Sequence, residues 1–176
     1  MSETNETNGH EHERTRTYSW RDPMVGVAQF ASQSGLDALR AMIASGESVA
    51  PIMKTMNCAL VEVDAGRAVF ALTPAEYHYN PVGVVHGGVA ATLLDSAMGI
   101  SIQSSLPAGT TFTTLEMKVT YIRAMTLTTG PVRAEGTLVH LGRRMAVAEG
   151  RITDSAGKLY ATASTTCLII DVPQTP

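Results

Sequence analysis

Asn80-Pro81-Val82-Gly83-Val84-Val85-His86-Gly87-Gly88 leads directly into Val89-Ala90-Ala91-Thr92-Leu93-Leu94-Asp95-Ser96-Ala97-Met98-Gly99-Ile100-Ser101-Ile102-Gln103. A tight, glycine-rich entry delivers the chain into a small-residue, almost wholly apolar helix, predicted over 88–103. Asp95 is the one charged side chain on that helix, and from Tyr77 to Leu115 there is no other Asp, Glu, Lys or Arg. A carboxylate on a helix that otherwise reads as core costs stability unless it is paired or used. A helix that is apolar nearly all round needs cover on several sides.

The flanking sequence supplies that cover. Strand patterning begins near Lys54, Asp64-Ala65-Gly66-Arg67 reads as a hairpin turn, and residues 68–72 return before Pro74 stops the strand. Beyond the helix, Leu106-Pro107-Ala108-Gly109 closes the element. Residues 113–122 then alternate Leu115, Met117, Val119 and Tyr121 against Thr114, Glu116, Lys118 and Thr120. Further strands are predicted over 132–141, 146–153 and 159–170, the last two joined by a turn at 154–158. No repeating βα unit occurs, which sets a doubly wound sheet aside. The expected class is α+β, with an antiparallel sheet of about six strands curled around one long helix. A single curled sheet leaves open edges, so at least a dimer is expected.

Three segments are expected: a disordered polar tail over 1–22, a flanking helical segment over 23–50, and the main domain over 51–171. In the flanking segment Leu36, Leu39 and Ile43 recur at helical spacing within 26–45; Ser34 is a cap with Asp37 three residues on, and Gly46 ends the element. Trp20 is a candidate pin for the end of the tail, and His10 with His12 form at most a weak metal grip there.

Composition narrows the functional classes. The 176 residues are 44% apolar, with 13 basic and 16 acidic side chains and a formal charge of −3. There is no basic stripe interleaved with aromatics, so no nucleic-acid partner is expected. The apolar run of the central helix is interrupted by polar residues and is shorter than the roughly 20 residues a bilayer requires, so no membrane span is expected either. Cys58 and Cys167 lack any CxxC context and read as free thiols in a reducing compartment; with no leader apparent, the expectation is cytoplasmic. No GxGxxG, GxxxxGK[ST] or GxSxG motif is present.

Taken together, Asn80, Gly83, His86-Gly87-Gly88 and Asp95 in this spacing resemble the hot-dog-fold acyl-CoA thioesterases of the phenylacetic-acid-pathway (PaaI-like) type. Thr114-Leu115-Glu116-Met117 with Val119-Thr120-Tyr121, then His140-Leu141-Gly142-Arg143-Arg144, then Asp154 with Gly157-Lys158-Leu159 extend the likeness over about residues 50–170. The resemblance implies that the sheet wraps the helix in the hot-dog manner. It implies a homodimer or a dimer of dimers whose sites straddle the seam, and hydrolysis of an acyl-CoA carrying an aryl or short-to-medium acyl group. The Gly87 amide, at the helix N-terminus, would then polarise the thioester carbonyl. Asp95 of the opposite protomer would act as general base or nucleophile, with Asn80 and His86 on the Gly87 side and Thr114 on the Asp95 side. Coenzyme A phosphates would meet basic side chains, Arg143 and Arg144 first, with Lys118 and Arg123 as weaker candidates. Tyr77, His78 and Tyr79 would narrow the acyl end.

The residues themselves leave alternatives open. Gly87-Gly88 is an oxyanion hole or a turn where only glycine fits. Asp95 is a working carboxylate or a buried structural acid. His86 touches substrate or fixes the glycine amides, and Asn80 orients water or braces its loop. Arg143-Arg144 grips phosphate or forms a solvated turn. Glu116, two residues from Thr114, is expected on the same strand face, as a second carboxylate near the pocket or a solvent-side residue. The implied chemistry needs no metal and no redox cofactor, coenzyme A being part of the substrate. The rival readings are a hydroxyacyl-thioester dehydratase or hydratase pairing His78 or His86 with Asp95, and a non-catalytic acyl-CoA binding module.

Overall fold

The computed structural model describes residues 14–46 and 50–172. Helix α1 (Met24–Ser32) and helix α2 (Gly35–Ser45) occupy the segment where one helical region is expected. Ser34 explains the division. Its backbone is extended, and its hydroxyl accepts from the Asp37 amide at 3.2 Å, which starts a second helix rather than continuing the first. Gly46 ends α2 at φ 69°, in the left-handed region.

The strand pattern expected from Lys54 is corrected by a short helix, α3 (Pro51–Met56). Pro51 stands in its first turn, where a missing N–H costs nothing, and Asn57 closes it in the left-handed region. Strands β1 (Cys58–Asp64) and β2 (Arg67–Leu72) follow, joined through Gly66. Then come helix α4 (Gly87–Gln103) and strands β3 (Thr110–Tyr121), β4 (Val132–Leu141), β5 (Met145–Asp154) and β6 (Leu159–Asp171).

All pairings are antiparallel, in the order β1-β2-β4-β5-β6-β3. Helix α4 lies across one face and touches every strand. The seat is made by two glycines that pair with each other, Gly136 on β4 and Gly150 on β5. A Cβ at Gly136 would stand 2.2 Å from the Ala97 carbonyl oxygen, and one at Gly150 would stand 2.9 Å from Met98 Cγ. Bare backbone at this crossing lets the helix axis approach closely enough to bury Leu93, Leu94, Ala97, Met98 and Ile102. The cover is incomplete: Ala91, Thr92, Asp95 and Ser96 form a half-exposed strip on the side of α4 facing away from the core.

Strand β3 carries a bulge. Thr114 pairs with Cys167 and Glu116 with Thr166, leaving Leu115 as the extra residue. The bulge overturns the expectation that Glu116 shares a face with Thr114. Glu116 turns to the outer face, where its carboxylate accepts from the Thr166 hydroxyl at 3.0 Å, while Thr114 faces the helix.

Residues 1–13, with His10 and His12, lie outside the described residues. From Arg14 to Asp22 the chain has no helix or strand, and Arg14 pairs with Glu76 at 2.7 Å. Arg16, not Trp20, is the anchor. Its guanidinium lies 4.3 Å from the Tyr77 ring centroid and donates to the carbonyls of Lys54 and Thr55, whereas Trp20 is 62% exposed. Among the described residues no helix is long and apolar enough to cross a membrane.

Candidate active site

The loop before α4 is braced from within. Asn80 Oδ1 accepts from the amides of Val82 at 3.1 Å and Val84 at 3.2 Å, and the Asn80 amide donates to the Val84 carbonyl at 2.8 Å. Of the two roles open to Asn80, loop bracing is the one with visible bonds. The His86 amide donates to the His78 carbonyl at 2.8 Å, and the Val85 amide to the Met125 carbonyl at 2.9 Å. The entry to the helix is therefore held to two neighbouring segments.

His86 is the N-cap. Its Nδ1 accepts from the Gly88 amide at 2.8 Å, and its carbonyl accepts from the Val89 amide at 2.9 Å. The Gly87 amide has no acceptor among the described residues. It sits in the first turn of a 17-residue helix, where partial positive charge gathers. Tyr121, the last residue of β3, donates its hydroxyl to the Gly87 carbonyl at 3.1 Å. A cleft of about 320 Å³ opens beside this amide, lined by Val84, Ala90, Tyr121, Arg123 and Met125 among others. A roomier cleft of about 510 Å³ between residues 18–23 and helices α1, α2 and α3 shares no residue with it and holds none of the candidate residues.

Asp95 lies eight residues beyond Gly87 on α4, half-buried. At the helical rise that is about 12 Å along the axis. Thr114 donates its hydroxyl to Asp95 Oδ1 at 3.0 Å. Behind them the Cys167 sulfur is 3.9 Å from Thr114 Oγ1; burial raises this thiol, helped by the nearby Asp95 charge. It stays protonated and acts as packing. Asp95 Oδ2 has no partner among the described residues. The candidate residues thus form two half-sites in one chain, an amide with His86 and Asn80, and a carboxylate with Thr114.

The profile of the Thioesterase superfamily matches residues 82–161, which include His86, Gly87, Asp95 and Thr114 and begin two residues after Asn80. A conserved protein of Pseudomonas aeruginosa has a similar structure, with a TM-score of 0.65 and 31% identity over 69% of this chain and 94% of the other. The chain belongs to the thioesterase superfamily. A phenylacetic acid degradation-related protein of Ralstonia eutropha JMP134 shares the structure at TM-score 0.66 and 26% identity over 74% of this chain and 98% of that one. The 1,4-dihydroxy-2-naphthoyl-CoA hydrolase of Listeria monocytogenes is 28% identical over 118 residues, which are 67% of this chain and 94% of the relative. The fold is the hot-dog fold of that superfamily, and the protein is a thioester hydrolase.

The remaining candidates of this thioesterase scatter. Arg143 and Arg144 are exposed on the turn between β4 and β5, at the end of the sheet reached by the C-terminus of α4. Arg123 lines the cleft beside Gly87 and also donates to the Leu159 carbonyl. His78 is buried, with Nδ1 accepting from the Ala75 amide at 3.0 Å and Nε2 facing the Met56 carbonyl at 2.9 Å. Both ring nitrogens are occupied, and burial holds its pKa below the ordinary 6.5. Among the described residues no group of three His, Cys, Asp or Glu is placed to hold a metal ion. The residue that sequence reasoning passed over is Tyr121. It read as one more member of an alternating strand, and nothing local announces that its hydroxyl reaches Gly87.

Proposed function

We propose that this thioesterase hydrolyses acyl-CoA thioesters, with an aryl or short-to-medium acyl group, at a site completed by a second copy of the chain. The thioester oxygen would accept from the Gly87 N–H. Asp95 of the second copy, held by its own Thr114, would activate water or attack the carbonyl carbon directly. The C–S bond breaks, coenzyme A leaves as thiolate and takes up a proton, and the acyl group leaves as the free acid. One preorganised amide at a developing oxyanion is worth roughly 3–4 kcal/mol of barrier. No step in this scheme calls on a metal or a redox cofactor.

The observation that carries the reading is the unpartnered Gly87 amide on the same helix as Asp95, yet about 12 Å from it. The two cannot meet on one substrate carbonyl within a chain. A second copy added along the open edge of β3 would bring opposite halves together, as homodimer or dimer of dimers. The Listeria relative, a hydrolase of a CoA thioester, supports the substrate class. Arg143 and Arg144 of the copy supplying Asp95, with Arg123 of the copy supplying Gly87, are the basic groups offered to coenzyme phosphates. A hydratase using His78 is disfavoured, since that imidazole has no nitrogen left for substrate. Cys58, whose thiol burial pushes up to about 11, and Cys167 fit a reducing cytoplasm.

The test is complementation. Chains carrying Asp95→Asn and chains carrying Gly87→Val, co-expressed with different affinity tags, are purified as the mixed species and assayed for thiol release from a panel of acyl-CoAs. Each parent should be nearly inactive. The mixed dimer holds one intact site of two and should recover about half the wild-type rate. A mixed species as inactive as its parents would remove the shared site.

A further inference from the structure

The Gly87-Gly88 peptide is held at both of its polar ends. Its N–H donates to His86 Nδ1 at 2.8 Å, and its carbonyl accepts from the Tyr121 hydroxyl at 3.1 Å. The preceding peptide is held through the His86 carbonyl by the Val89 amide. Around this junction one polar backbone group is left unbonded among the described residues, the Gly87 N–H. Glycine has the widest backbone freedom of any residue, so a free amide on glycine does not keep its direction unaided. The helix holds the peptide that bears this N–H through the His86 carbonyl, and two side chains hold the next one, an imidazole on one side and a phenol on the other.

We infer that Tyr121 is a positioning residue for the hydrolysis, its hydroxyl fixing the Gly87-Gly88 peptide so that the Gly87 N–H stays aimed at the thioester oxygen. The inference rests on the reading of Gly87 given above. The ring and the hydroxyl make separate contributions. A Cβ built on Gly87 would stand 3.2 Å from Tyr121 Cζ and 3.3 Å from its oxygen, so the ring lies flush on the glycine and closes that side of the cleft. The hydroxyl adds the directional bond. Tyr121 is 55% exposed at the end of the edge strand, and its hydroxyl does not fill a place in the core. The hydrogen bond it makes goes to the residue bearing the free amide. Tyr121 and Gly87 are in this sense a matched pair: the glycine makes room for the ring, and the phenol supplies the stiffness the glycine lacks.

Tyr121→Phe keeps the ring and removes the bond. On the acyl-CoA that wild type cleaves fastest, kcat should fall about tenfold with KM changed less than about twofold, the pattern of an interaction that matters in the transition state. The thermal midpoint should stay within about a degree of wild type, since an exposed hydrogen bond adds little to stability. Amide hydrogen exchange followed by NMR should show faster exchange at Gly88 in the variant, as the peptide gains freedom. Unchanged kcat in Tyr121→Phe overturns the inference and leaves the hydrolase reading standing. A fall in kcat that tracks a fall in thermal midpoint also overturns it, because a packing role explains that. Failure of wild type to release thiol from any acyl-CoA takes down the substrate reading and this inference together.

Discussion

The two edges of the sheet are treated differently. Strand β1 has seven residues and is flanked by α2 and α3. Strand β3 has twelve residues and no proline. From Thr113 to Tyr121 it is largely exposed, with Leu115 56% and Tyr121 55% open. Open strand edges invite pairing, and proteins normally shorten, bulge or cover them. This chain covers one and leaves the other bare, beside both half-sites. In the proposed reading the bare edge has a use: it is where the second copy adds.

The sharpest way to test that contrast is chemical. Asp95→Asn keeps size and the Thr114 contact but removes the base, and thiol-release kinetics should show kcat down by roughly 100-fold or more with the fold intact. Full activity would leave the β3 side without its carboxylate role. The next way is mechanical. Amides of adjacent strand residues point to opposite edges, so of Lys118→Pro and Val119→Pro one strikes the ladder to β6 and the other the outer edge alone. The outer-edge variant should sediment as the 18.7 kDa chain and lose activity in step with assembly, at least about tenfold at micromolar protein, while Val61→Pro on β1 leaves assembly unchanged. The smallest effect concerns the covered edge. His78 ties the Met56 carbonyl, just before β1, to the loop leading to α4, and its pKa is lowered by burial. A group depressed in the folded state stabilises fully above its unfolded value and progressively less as pH falls below it. The thermal midpoint should therefore decline by a few degrees from about pH 6.5 downward, and His78→Gln should flatten that limb without touching assembly. A wild-type profile flat down to about pH 5 would contradict this.

Much of this was legible in the residues, and the gaps have physical causes. The length and small-residue character of 88–103, the lone carboxylate and the alternating runs beyond it led to an α+β sheet around one helix, because periodicity reports burial directly. Ser34 and Gly46 marked real helix ends because capping is local chemistry. Helix α3 was missed because six residues are too few for helical periodicity to outweigh the apolar strand-like run around them. Glu116 was placed on the wrong face because a bulge depends on pairing with β6, which no single strand reveals. Asp95 and Thr114 were named and do touch. Tyr121 was not singled out as a site residue, since its bond to Gly87 spans 34 positions and joins an edge strand to a helix entry.

The bulge at Leu115 has a further consequence. Thr114 and Tyr121 stand seven positions apart, an odd interval that regular pleating would send to opposite sides of the sheet. The one surplus residue restores parity, so a single strand presents a carboxylate clamp near one end and a phenol near the other, both toward α4. Straightening the bulge, with Leu115 taken into the regular ladder, would put the frame out by one and swing everything downstream of it to the reverse side. The bulge thus acts as the phase adjuster that keeps Thr114 and Tyr121 on the helix side of one strand.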